Sequence, residues 1–115
     1  MKNMRDRIPV CPHGAIDLFD PMLVRALEKL EQELGYELTF ASGYRCPACN
    51  AAVGGVKKSA HISGKAVDII VDNSGERFWL VYNAIRLNFG RIGIGKRFVH
   101  LDVDHDLPDH VLWLY

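Results

Sequence analysis

An α+β fold, with a small and mostly antiparallel central sheet flanked by helices, follows from three features of this sequence. Leu23, Leu27, Leu30 and Leu34 recur at spacings of four, three and four, one stripe of an amphipathic helix. The run KAVDIIV, Lys65 to Val71, has the apolar density of a buried strand. RIGIG and RFVHLDV, two short apolar runs separated by Gly95-Lys96, predict a hairpin. The order is then helix, strand, helix, strand, helix, hairpin, which segregates helices from an antiparallel sheet.

Each element has local signals. Asp20-Pro21 starts the first long helix, the carboxylate as N-cap and proline at the first helical position. Gly35 ends it, where a left-handed C-cap is favoured. ELTFA, Glu37 to Ala41, is expected as a strand, and SGYRCP as the turn leaving it. A short helix is expected over Pro47 to Val53, closed by Gly54-Gly55. SGERFWLVYNAIRLNFG predicts a second long helix, capped by Ser74 and closed by Gly90. The tail HVLWLY is expected either to add an edge strand or to pack Trp113 on the core.

The bulk properties exclude several classes. At 115 residues the chain can bury one core, so one domain over residues 1–115 is expected. A hydrophobic content of 49% with 24% charged residues places it with soluble globular proteins, not with disordered or membrane chains. Its formal charge of zero provides no field for nucleic acid or an anionic membrane, so neither is expected as a partner. MKNMRDRIPV lacks the apolar centre of a signal peptide, and no later run reaches membrane-spanning length. Synthesis in the cytoplasm, without membrane insertion and as a monomer, is the expectation; any extracellular action requires release or another export route.

Three cysteines, Cys11, Cys46 and Cys49, cannot make a fully paired disulfide framework. CPHG and CPAC together offer Cys11, His13, Cys46 and Cys49, the ligand types of a structural zinc. Cys-x-His is tighter than the usual zinc-knuckle pair, so buried thiols or a single disulfide are the simpler expectation.

The candidate chemistry begins at SAHISGKAVD, where His61 is followed seven residues later by Asp68 inside an apolar strand. An unpaired carboxylate there would cost several kcal/mol, so a cation, side chain or metal, is expected beside it. In RFVHLDV the alternation puts His100 and Asp102 on one strand face, opposite Val99, Leu101 and Val103. His61, Asp68 and His100 together make two imidazoles and one carboxylate, a set suited to a three-ligand catalytic zinc with one open position. On composition alone the plainer reading is a loop histidine at His61 and a satisfied core histidine at His100.

SGYRCPACNAAVGG, then SAHISGKAVD, then FVHLDV, in that order from Cys11 to about Asp102, resembles the zinc D-alanyl-D-alanine peptidase family. Its relatives are the vancomycin-resistance dipeptidases and phage L-alanyl-D-glutamate endolysins. The resemblance implies the fold shared by Hedgehog signalling domains and these peptidases, and reverses the plain reading. It implies zinc on His61, Asp68 and His100, with Arg45 binding substrate and stabilising the developing oxyanion, a role suited to a fixed guanidinium. Ser59 is expected to bind substrate or order the ligand loop, or else only to cap the turn after Lys57-Lys58. Gly64 is expected to turn the chain between ligands without a Cβ clash.

The general base departs from the better-known branches, which place an acid three residues before the last histidine. Here that residue is Arg97, which cannot accept a proton. A smaller branch carries His-x-Asp, making Asp102 the candidate base, with Asp104 in reserve. The alternative is that Asp102 only orients an imidazole. His105 and His110, in DHDLPDH, are expected in a solvated loop. Lys57-Lys58 is expected as a solvated turn, with attraction of substrate carboxylates as the alternative.

The expected function is zinc-dependent hydrolysis of peptidoglycan stem or cross-link peptides next to a D-amino acid, without a covalent intermediate. The rival is a non-catalytic module of the same fold, recognising peptidoglycan or a protein partner. A zinc-ribbon-like scaffold around the cysteines is a third, weaker reading.

Overall fold

The computed structural model describes residues 3–14, 18–55 and 59–115. Among these, four helices and five strands run α1 (Met4–Arg7), α2 (Pro21–Leu34), β1 (Phe40–Ser42), α3 (Pro47–Ala52), β2 (Ala66–Ile70), α4 (Ser74–Arg86), β3 (Arg91–Ile94), β4 (Phe98–Asp102) and β5 (Val111–Leu114). The strands form one sheet in the order β1-β2-β4-β3-β5. All pairings are antiparallel except β3 with β5. The α+β class and the β3–β4 hairpin are as the sequence predicts.

Helix α2 forms for the reasons its sequence gives. The Asp20 carboxylate accepts from the Met22 N–H at 2.8 Å, Pro21 opens the helix, and Gly35 closes it with a left-handed φ of 79°. Leu23, Leu27 and Leu30 are fully buried; Leu34 is only partly so. With Leu80 and Ala84 of α4 they meet Val67, Ile69, Val99 and Leu101, the alternate residues of β2 and β4, in one core. The other face of those two strands is therefore free of the core, and it carries Asp68, His100 and Asp102.

Several boundaries differ from expectation. β1 begins at Phe40, not Glu37, because the Leu38 N–H is taken by the Glu31 side chain at 2.6 Å instead of by a neighbouring strand. Asn73, not Ser74, caps α4, its side chain accepting from the Glu76 N–H at 2.9 Å. The same helix stops at Arg86, because Asn88 turns left-handed with φ 65° before Gly90 is reached. The tail adds the expected edge strand, Val111–Leu114, but Trp113 packs away from the core, on the other face of the sheet, 5.2 Å from the His100 ring, centroid to centroid. Helix α1 has no periodic signal in its four residues. Arg7 fastens it to α2 through a two-pronged pair with Glu31 (2.9 and 2.5 Å) and a bond to the Leu38 carbonyl.

Candidate metal centre

Strand register assembles the site. Ser42 lies opposite Asp68, Asp68 opposite His100, His100 opposite Gly93, and Gly93 opposite Trp113, a single row across all five strands. Residues directly opposed in a sheet share a face and stand close enough to touch. One row further along, Ala66, Asp102 and Arg91 are likewise opposed. A carboxylate and an imidazole far apart in sequence are thus made neighbours by the ladder itself.

His61 reaches this row from a loop. Its N–H is held by the Ser59 hydroxyl oxygen at 3.2 Å, and its carbonyl accepts from the Arg45 N–H at 3.1 Å. The ring's Nδ1 donates to the Gly43 carbonyl at 2.7 Å, an oxygen that can only accept. That bond fixes the tautomer and leaves a lone pair on Nε2, which faces Asp68 Oδ1 at 3.4 Å. The chain turns back toward β2 at Gly64, with φ 71°; a Cβ there would run into the Leu18 carbonyl oxygen, so the expected need for glycine is met.

Asp68 is held at both oxygens. Oδ2 accepts from the Ser42 hydroxyl at 2.7 Å, while Oδ1 faces His61 Nε2 and, at 3.1 Å, His100 Nδ1. Burial pushes its pKa up, but His100, the adjacent His61 ring and the Ser42 hydroxyl outweigh that and hold it well below the ordinary carboxylate range. His100 shows the complement: burial disfavours its charge, yet the hydrogen bonds to Asp102 and Asp68 raise its pKa above the usual value. The two imidazoles meet edge to face, ring centroids 5.0 Å apart.

One ligand atom each from His61, Asp68 and His100 lies within 4.8 Å of the others. Donors about 2.1 Å from a tetrahedral ion stand about 3.4 Å apart. The Nε2–Oδ1 and Nδ1–Oδ1 separations of 3.4 and 3.1 Å fit that spacing. Two imidazole nitrogens and a carboxylate oxygen, each side chain oriented by a second partner, are ligand types suited to zinc.

Asp102 is placed differently from a general base. It is completely buried, and its Oδ2 lies 2.7 Å from His100 Nε2, the ring nitrogen that does not face Asp68. Arg91 Nε approaches its Oδ1 at 2.9 Å, and the Asp104 N–H bonds the same oxygen at 3.1 Å. This is the position of an acceptor that orients an imidazole. Asp104, the reserve candidate, is also buried and spends Oδ1 on the Asp106 N–H. Arg91 was not anticipated; its position opposite Asp102 appears only once the β3–β4 register is known.

The row opens into a cavity of about 670 Å³ whose lining includes Arg45, Gly54-Gly55, Ser59, Phe98, Trp113 and Tyr115. Arg45 faces this space, and its buried Nε has no hydrogen-bond partner among the described residues. Arg97 is exposed at the β3–β4 turn. His105 and His110 are exposed as expected. Lys57-Lys58 lies outside the described residues.

Two histidines and an aspartate clustered in a cleft, on the open face of a mostly antiparallel sheet, form a candidate metal centre of the three-ligand kind. The family model described as Peptidase M15 matches residues 5–102, and the chain belongs to that family of zinc-dependent metallopeptidases. No curated protein matches the chain. Among the described residues no helix is long and apolar enough to cross a membrane.

Proposed function

We propose that this metallopeptidase hydrolyses peptidoglycan stem or cross-link peptides beside a D-amino acid, with His61 Nε2, Asp68 Oδ1 and His100 Nδ1 holding one zinc. The observation that carries the reading is the convergence of these three oriented donors at the floor of an open cleft. Bound zinc supplies a Lewis acid for the scissile carbonyl and a water acidified toward neutrality. The chain's residues do the rest. Gly43 and Asp102 fix the two imidazoles, and Ser42 fixes Asp68, so the donors need not reorganise. Arg45 offers a charged fork, incompletely satisfied within the protein, to the oxyanion or to a substrate carboxylate. Ser59 orders the His61 loop through its oxygen, a role that accounts for it without substrate contact.

One observation favours the second reading, a binding module. Asp68 and Asp102 are the carboxylates among the described cavity residues, and both are already engaged. Incubating zinc-loaded protein with muropeptides, and weighing the products, separates the two. Cleavage that stops with chelator and in His61→Ala supports the peptidase. Muropeptides bound but recovered intact support the module and overturn hydrolysis.

A further inference from the structure

We propose that Cys11, His13, Cys46 and Cys49 form a second metal site, a closed structural zinc site that clamps the amino-terminal segment to the start of α3. All four offer a ligand atom within 4.8 Å of the others. His13 Nδ1 stands 3.6 Å from Cys46 Sγ and 3.5 Å from Cys49 Sγ. A sulfur about 2.3 Å and a nitrogen about 2.05 Å from one tetrahedral zinc stand about 3.6 Å apart. Both nitrogen–sulfur edges from His13 to Cys46 and Cys49 thus already match those of a filled site, and the remaining separations stay within 4.8 Å.

The surroundings fit thiolate ligands. The Cys46 N–H points at Cys11 Sγ and the Cys49 N–H at Cys46 Sγ, each at 3.4 Å, the backbone donation that supports sulfur ligands from the second layer. Backbone pairing sets the two segments side by side: Val10 bridges Tyr44, and the Cys11 N–H donates to the Tyr44 carbonyl at 3.1 Å. Cys-x-His is therefore not asked to work as a knuckle alone; it meets a Cys-x-x-Cys turn at the amino end of α3. A disulfide would use two sulfurs and strand the third with His13, whereas a metal uses all four groups. Four protein ligands leave no open position, which makes the site structural.

Its place gives it a purpose. Cys46 follows Arg45 directly, and α3 leads into Val53, Gly54 and Gly55 on the cleft wall. A metal here would pin together the residue that faces the cleft and one side of the cleft, independently of the His61 site.

The test is metal counting and cobalt substitution on the whole chain, kept reduced. Two ions per chain are expected, and cobalt(II) should give a near-ultraviolet sulfur-to-cobalt charge-transfer band. Cys49→Ser should lose one ion and the band; His61→Ala should lose the other ion and keep the band. Cobalt-loaded wild-type protein without that band overturns the proposal, even if the cysteine variant fails to fold. Two ions in His61→Ala would instead sink the His61 site and leave this one standing.

Discussion

Asp102 Oδ2 lies 2.7 Å from Nε2 of His100, and Asp68 Oδ1 lies 3.1 Å from Nδ1 of the same ring. One imidazole is thus gripped at both nitrogens by carboxylates, of which only Asp68 also faces the second histidine. The two acids are placed differently, and what that does to their roles can be measured.

Asp102→Asn is expected to weaken zinc binding by about 10–100-fold, because the acceptor that sets the His100 ring is replaced by a weaker one. Competition with a chromogenic chelator reads this directly. If zinc affinity is unchanged while turnover disappears, Asp102 is a base and not an orienting acceptor.

Arg45→Ala is expected to lower kcat/KM by about 10²–10³-fold with zinc content intact, the usual cost of a lost oxyanion donor. Arg45→Lys should recover part of the loss, since an ammonium keeps the charge without the planar fork. Steady-state rates alongside metal analysis check both. A loss of zinc in Arg45→Ala would show the arginine to be part of the scaffold.

Gly93 is the empty position between His100 and Trp113. A Cβ there would lie 2.7 Å from Trp113 Nε1 and Cε2 and from Tyr115 Cε2. Gly93→Ala should therefore cost about 1–3 kcal/mol by overpacking and push the indole away from His100. A Trp79→Phe background leaves Trp113 as the sole tryptophan, so its emission reports the shift. An unchanged spectrum and melting temperature would mean the wall gives way without cost.

The Arg7–Glu31 pair predicts a pH dependence. Burial raises the Glu31 pKa, but the Arg7 and Leu38 hydrogen bonds more than offset it, leaving the folded value depressed. The unfolded chain then binds the proton more readily, so this stabilisation is full above about pH 4.3 and is lost as pH falls through the lowered value. Glu31→Gln should cost about 1–2 kcal/mol at neutral pH. Urea midpoints of the two proteins should converge as the medium is acidified; a gap independent of pH would show that charge has no part in it.

Much of this was legible in the chain because it is local. Asp20-Pro21, the leucine stripe and Gly35 specify α2 with no help from the rest of the fold. Strand alternation likewise put His100 and Asp102 on one face. What could not be read are contacts made by register and by loops: Ser42 on Asp68, the Gly43 carbonyl on His61, and Arg91 on Asp102. The role of Asp102 turned on the same gap, since a shared face does not say which ring nitrogen the carboxylate meets. Helix α1 escaped because four residues are too few to show a period.

The donors differ in how they are anchored. Asp68 and His100 are opposed across an antiparallel ladder, so their separation survives as long as the sheet does. His61 is delivered by a loop, and its ring is steadied by one carbonyl. Gradual loosening should therefore release the third donor first, leaving a two-handed grip that captures an ion weakly: inactivation by metal loss would precede unfolding.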